Sequence, residues 1–447
     1  MRNMTLIILL ALAGAHISLC GAATWYVDAS VPESGNGATW ETAFKTIQGG
    51  IDSAADGDTV IVAERIYLEN IRFEGKNITL TGTDPLDANV VGETVIDGGQ
   101  AGSVVTFAGT EGETCTLSGF TIRNGEADAG GGVRGSFSHE TRATIQNNVI
   151  KGNRAGTGGG IAYFHGTVRN SVICANLARH FGGGLAGCQG PILDSSIFGN
   201  VAGVPGELEG RGGGMIDCHG AIRDNLIWGN RAEDLGGGLY HCYATIAGNT
   251  IYGNSAGRFM GGLNACIGAA VENCIIWGNT GTVLAQLDAA ATPTYSCIEH
   301  WTEGGDGNIS LEPRFVDEEK GDFRLRADSP CIDAGFNSPE LPEFDIAGIH
   351  RIMFGGKSLT VDMGAYEFYI NKLEPTPGTN EAIFTWSSLE GKTYSILYTD
   401  ALFNWHTAIA NFPSSGNQTT FWTDDGSLTG VPPLLAPRRF YRLLENP

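Results

Sequence analysis

The sequence predicts an all-β chain: a right-handed parallel β-helix with coils of about 24 residues, followed by a small antiparallel β-sandwich. Three rows of residues predict it. Glycine clusters recur at Gly130–Gly132, Gly158–Gly160, Gly182–Gly184, Gly212–Gly214, Gly236–Gly238 and Gly261–Gly262. An asparagine follows each at nearly fixed distance: Asn153, Asn176, Asn200, Asn230, Asn254 and Asn279. Counting back from that asparagine, position −3 is Ile150, Ile173, Ile197, Ile227, Ile251 and Ile276, and position −8 is always Ile or Val. Leucine-rich repeats share the period, but β-branched residues in both rows favour pleated strands. Position −5 is largely Asn or Ser (Asn148, Ser171, Ser195, Asn225, Asn249), suited to hydrogen-bonded ladders at the turns. In such a solenoid each coil lies about 4.8 Å from the next, so every row becomes a stack.

The elements follow in chain order. Residues 1–23 read as a secretory signal: Arg2 precedes the apolar run Leu6–Leu19, and Ala22/Ala23 offer the cleavage point. Residues 24–300 form an N-terminal cap and the helix, and 301–370 form C-terminal coils with an anchor-type module. Residues 371–447 form the sandwich, entered through Pro375-Thr-Pro-Gly378. No later stretch is long and apolar enough for a transmembrane helix, so a secreted or cell-surface protein is expected, as a monomer. Gly is abundant at 66 residues and charged residues are few at 17%, which suits tightly turned β structure. A net charge of −22 excludes nucleic acid as partner. It also disfavours anionic polysaccharide unless Ca²⁺, the one cofactor left possible, bridges the two. Of ten cysteines, nine remain after the signal is removed, so at least one cannot pair within the chain.

Further segments carry a resemblance. Trp25-Tyr-Val-Asp28, Trp40–Gln48 and Gly57-Asp-Thr-Val-Ile-Val62 resemble the cap and first coil of bacterial β-helix proteins of the pectin-lyase-like superfamily, and Thr116–Gly125 resembles their coils. Asp328-Ser-Pro-Cys-Ile-Asp-Ala-Gly335, Asp345-Ile-Ala-Gly348 and Val361–Glu367 are similar to the module called choice-of-anchor Q. The resemblance spans roughly residues 24–370 and implies the fold. The superfamily mixes lyases, hydrolases, epimerases and non-catalytic surface proteins, so it implies no single activity. Paired aspartates with Gly-His-Gly, as in polygalacturonase-type hydrolases, are missing: the one Asp-Asp pair, Asp424-Asp425, lies in the tail. No pectate-lyase-type acid and base motif is present either.

Candidate site residues therefore come from geometry. Cys188, Cys218, Cys242 and Cys266 each lie four residues after the last glycine of their cluster, and Phe164 shares the row. That row reads as interior, a mostly reduced ladder of small hydrophobes in which one or two bridges remain open. Alternation then turns the flanking residues outward. The preceding row holds Tyr163, Asp217 and His241, and the following row holds His165, Gln189, His219 and Tyr243. Asp217 and His241 become vertical neighbours with His219 beside them, where a carboxylate can orient a general base. Arg211, Glu207 and Glu209 are expected to overhang the same face. A second stripe, Phe198, Trp228, Tyr252 and Trp277 at position −2, either offers rings to a sugar chain or is covered by a neighbouring segment such as 300–370. No metal ligand set is assigned.

The expected function is engagement of extracellular or cell-surface polysaccharide by a non-catalytic binding or adhesion protein. In that reading Phe198, Trp228, Tyr252, Trp277, Tyr243 and His165 contact the glycan. The alternative is a polysaccharide lyase or glycoside hydrolase using Asp217, His219, His241 and Arg211 as acid/base groups.

Overall fold

The structure, a computed structural model, describes residues 21–206, 209–282, 286–288, 291–376, 378–400, 405–416, 419–436 and 439–446. The apolar run of the expected signal, and Glu207, lie outside the described residues. Between Thr24 and Ile298 the chain winds as a right-handed parallel β-helix whose strands stack into sheets of 11, 10, 6 and 8 strands. One coil shows the plan: Thr144–Gln146, Val149–Lys151, Arg154–Thr157 and Ile161–Ala162 each add a strand to one of the four faces.

The corners explain the repeat. Asn147, Gly152, Gly158 and Tyr163 turn the chain between faces, all with φ between 55° and 65°. Glycine adopts this left-handed conformation freely and asparagine at low cost, so both recur at fixed spacing. Between corners, Ile145, Ile150, Ile161 and Phe164 point inward and are fully buried. The registers Ile145↔Val168 and Ile150↔Ile173↔Ile197↔Ile227 convert the −8 and −3 rows into continuous apolar columns.

The asparagine row is a second, polar column. The Asn200 backbone N–H and Nδ2 both donate to Asn230 Oδ1 (3.0 and 2.9 Å), and Asn230 repeats both bonds to Asn254. Each Nδ2 also donates back to the −3 carbonyl of the preceding coil, as Asn230 does to Ile197 at 2.8 Å. Gln286 ends the column by accepting from Asn279.

Residues from 301 to 370 fold against the outside of the second face. A hairpin (Phe315–Asp317, Asp322–Leu325) contributes Phe315, Phe323 and Leu325 to an interface core shared with Leu226, Ile275, Cys297, Cys331 and Met363. The acids of the resembling motifs clip this segment's loops. Asp333 accepts backbone N–H bonds from Gly355, Lys357 and Ser358, and Asp345 accepts from Ala347, Ile349 and Glu367.

That packing corrects the open-stripe expectation. Trp228, Tyr252 and Trp277 lie under the module; Phe323 meets Trp228 at 5.6 Å and Tyr252 at 5.1 Å between ring centroids. Phe198 stacks on Trp228 at 4.7 Å at the margin of this interface. The row is outward, as alternation requires, but its partner is the chain itself. Trp228→Ala is accordingly expected to cost about 2–4 kcal/mol and to speed proteolysis within 301–370, without weakening glycan binding. Denaturant unfolding with limited proteolysis checks this.

The tail is a sandwich of two three-stranded antiparallel sheets, Asn371–Pro375/Ala382–Ser387/Thr419–Asp424 and His406–Pro413/Thr393–Thr399/Phe440–Glu445. Phe384, Trp386, Tyr394, Ile396 and Trp422 fill it. Asp424 is buried and receives Tyr441 Oη and Arg439 Nη1, so it has a structural partner set.

Candidate functional site

The fourth face supplies the candidate site. Its strands here are only two residues long, Leu185–Ala186, Met215–Ile216 and Leu239–Tyr240, stacked in register. The next position turns into the left-handed region: Tyr163 (φ 55°), Gly187 (φ 64°), Asp217 (φ 51°) and His241 (φ 55°). Here the structure refines the sequence reasoning. These side chains reach solvent because the backbone turns a corner, and not because a strand continues to alternate. The residue after each corner dips back inside, placing Phe164, Cys188, Cys218 and Cys242 in the core. All four ladder cysteines are free thiols, and burial pushes the Cys242 thiol well above its usual pKa.

Asp217 and His241 meet directly. His241 Nδ1 lies 2.5 Å from Asp217 Oδ1, with side-chain exposures of 42% and 49%. In the tautomer whose Nδ1–H donates to Asp217, His241 Nε2 is left free of this bond. His219 takes the complementary form. The Tyr243 backbone N–H donates to His219 Nδ1 in a long bond of 3.5 Å, which leaves an Nε2–H facing outward. Tyr243 stacks on His219 (5.0 Å, 9° between planes) and meets His241 edge-on at 4.4 Å. Slight desolvation and the Asp217 charge raise the Tyr243 phenol pKa.

The cluster extends along the helix axis. Gln189 Nε2 donates to the Asp217 carbonyl (3.4 Å) one coil earlier, His165 is half-buried a coil before that, and Tyr163 packs edge-on against the exposed Phe137 at 5.2 Å. Sequence reasoning missed Phe137, although it stands five residues after Gly132, the position that His165 holds after Gly160. Five consecutive coils thus offer rings or polar groups along one corner, a span of about 19 Å at the coil spacing.

Two expected members belong elsewhere. The Arg211 guanidinium faces Asp234, 3.5 Å away with a fully buried side chain, and lies over the Tyr240 ring at 5.8 Å; Arg258 bonds the other Asp234 oxygen. Arg211 is therefore a structural cation on the third face, before the Gly212 corner, and its assignment as an acid/base group is withdrawn. Glu209 pairs with His180 at 3.2 Å and does not overhang Asp217. The decisive partner of Arg211, Asp234, sits in the next coil beside the same corner, a relation visible only once the insertion is aligned. Among the described residues no group of three or more His, Cys, Asp or Glu is placed to hold a metal ion.

No protein-family model matches the chain, and no curated protein matches it. Among solved structures it is similar to pectate lyase Pel9A, at 16% identity over 78% of this chain and 97% of that one, with a TM-score of 0.47. It is also similar to XylC solved in complex with xylose, at 12% identity over 94% of this chain and all of that one, with a TM-score of 0.35.

Proposed function

We propose that this protein binds extracellular or cell-surface polysaccharide along the fourth-face corner as a non-catalytic binding or adhesion protein. The observation that carries this reading is the exposed ridge from Phe137 and Tyr163 to His219, His241 and Tyr243. Ring faces pack on sugar C–H surfaces, and the Asp217–His241–His219 group offers one acceptor and one donor to hydroxyls. A neutral glycan suits the net charge of −22. The ridge is exposed at Phe137 and Tyr243, which favours binding in register with the coils over enclosure of a reacting bond.

A second reading, a polysaccharide-degrading enzyme, draws support from one observation: an Asp-oriented imidazole with a free Nε2 is the geometry of a general base. Glycoside hydrolysis normally uses two carboxyl groups flanking the bond. Of the acids expected here and described, Asp217 stands at the ridge, while Glu209 is engaged by His180.

A polysaccharide panel read together for binding, unsaturated products and reducing ends, with and without Ca²⁺, separates the two. Binding without product is expected. Tyr243→Ala should weaken binding roughly tenfold, the scale of one lost aromatic contact. Product formation abolished by Asp217→Asn would replace the binding reading with the enzymatic one, and unchanged affinity in Tyr243→Ala would remove the ridge as the site.

A further inference from the structure

Cys297 and Cys331 differ from the other buried cysteines in how they approach each other. Cys297 sits on the second face in the last coil of the helix, in register with Ile275, while its neighbour Ile298 continues the inward Ile276 column. Its side chain therefore leaves the helix core and enters the interface with the 301–370 module. Cys331 comes from the module side. Its turn is held by Ser329, whose Oγ donates to the Pro313 carbonyl (2.6 Å) and accepts the Cys331 N–H (3.1 Å). Both thiols are fully buried in one apolar cluster. They lie within hydrogen-bonding reach of each other, and Cys297 Sγ also presses on the Leu311 carbonyl at 3.0 Å.

The four-cysteine ladder also brings neighbouring thiols within reach of one another, but in a different geometry. Its side chains project in parallel from stacked coils about 4.8 Å apart, wider than the Cβ···Cβ separation of about 3.5–4.5 Å that a disulfide needs. Cys297 and Cys331 instead converge from opposite walls of one interface.

We propose that Cys297 and Cys331 form a disulfide that staples the last coil of the β-helix to the module covering it. The two S–H bonds break and one Sγ–Sγ bond forms. Two protons leave, and two electrons pass to a protein or small-molecule disulfide, which is reduced to two thiols. The bond locks the terminal coil, the place where a solenoid frays, against the segment that covers Trp228 and Trp277. Burial holds the Cys331 thiol well above its usual pKa, so exchange is slow once the interface has closed. The staple forms while the module is still docking.

The test uses the full chain folded in a buffer containing glutathione disulfide, then denatured in iodoacetamide without reductant, digested and weighed. The expected result is a Cys297 peptide joined to a Cys331 peptide, with the remaining cysteines alkylated. Recovery of both residues alkylated, or of either joined to another cysteine, overturns the proposal. As an independent readout, reductant should lower the melting temperature of the oxidised wild type by several degrees. Cys331→Ala should melt at one temperature with or without reductant. A wild type indifferent to reductant also overturns the proposal.

Discussion

Arg351→Met is expected to destabilise the docked module by about 3–5 kcal/mol at pH 8, and by clearly less at pH 5.5. Arg351 is only 1% exposed, donates from Nη1 to the Gly364 carbonyl (3.0 Å), and sets Nη2 3.5 Å from Asp224 on the helix. It is the buried cation that faces a crowd of acids, Asp224 and Asp194 from one helix corner and Asp345, Asp362 and Glu367 from the module, with Arg223 also acting on Asp224 and Arg169 on Asp194. Burial pushes Asp224 and Asp362 up to about 7, and burial with the Asp362 charge pushes Glu367 well above the usual carboxylate range. Folded-state values raised above unfolded ones mean that the folded protein holds more protons. The stability these groups contribute is full below about pH 4 and is lost as pH rises through about 7. The wild-type interface should therefore weaken between pH 5.5 and 8. Removing the guanidinium strips the charged acids of their counter-ion and steepens that loss. Denaturant titrations at the two pH values, followed through interface Trp fluorescence, measure both effects. Adding Asp224→Asn to Arg351→Met should recover part of the loss at pH 8 and little at pH 5.5. A pH-independent penalty would show that packing of the side chain, and not its charge, holds the interface.

The rows were legible in the sequence because an in-register parallel stack places each residue on its counterpart one period away. Ile150, Asn153 and Cys218 needed only counting. Two kinds of information do not repeat and were lost. The first is the corner conformation at Asp217 and His241, where Gly135 and Gly187 in the same row are the hints at a positive φ and Gly187 adopts it. The outward direction came out right through the wrong local geometry. The second is the partners in contacts between distant, non-periodic segments: cover by 300–370 was one of two readings of the aromatic row, but no residue of that segment was named as its partner. Trp228 meets Phe323 across the module boundary, and Asp224 meets Arg351. A usable signal did exist: on the second face the outward position −2 changes from Lys151 and Cys174 to Phe198, Trp228, Tyr252 and Trp277. A run of large rings on one outward row marks a face that something covers. Arg211 failed for a related reason. Proximity in sequence to Asp217 suggested partnership, whereas the Gly212 corner puts Arg211 on the third face and Asp217 at the far end of the fourth.

Asn230→Ala is expected to cost about 3–5 kcal/mol, a large effect for one residue that no ligand touches. Asn230 is fully buried, and its amide serves two neighbouring coils. Deleting it leaves the Asn200 N–H and Nδ2 without their acceptor, and the Ile197 carbonyl without its donor. Each buried orphan carries about 1–3 kcal/mol. Asn230→Asp keeps the Oδ1 acceptor but turns a second oxygen toward the Ile197 carbonyl and Asn254 Oδ1, so its defect should ease as pH falls and the carboxylate is protonated. The other ladder provides the control. Ser171 and Ser195 already stand in it, accepting a backbone N–H from the preceding coil and donating to the carbonyl two residues back. Asn225→Ser loses the reach of Nδ2 to the Ile192 carbonyl but retains that local pattern, so about 1–2 kcal/mol is expected. Urea midpoints of the three variants against wild type test the order. A similar cost at both columns would mean that the asparagine row owes its regularity to the turn conformation and not to the hydrogen bonds that join the coils.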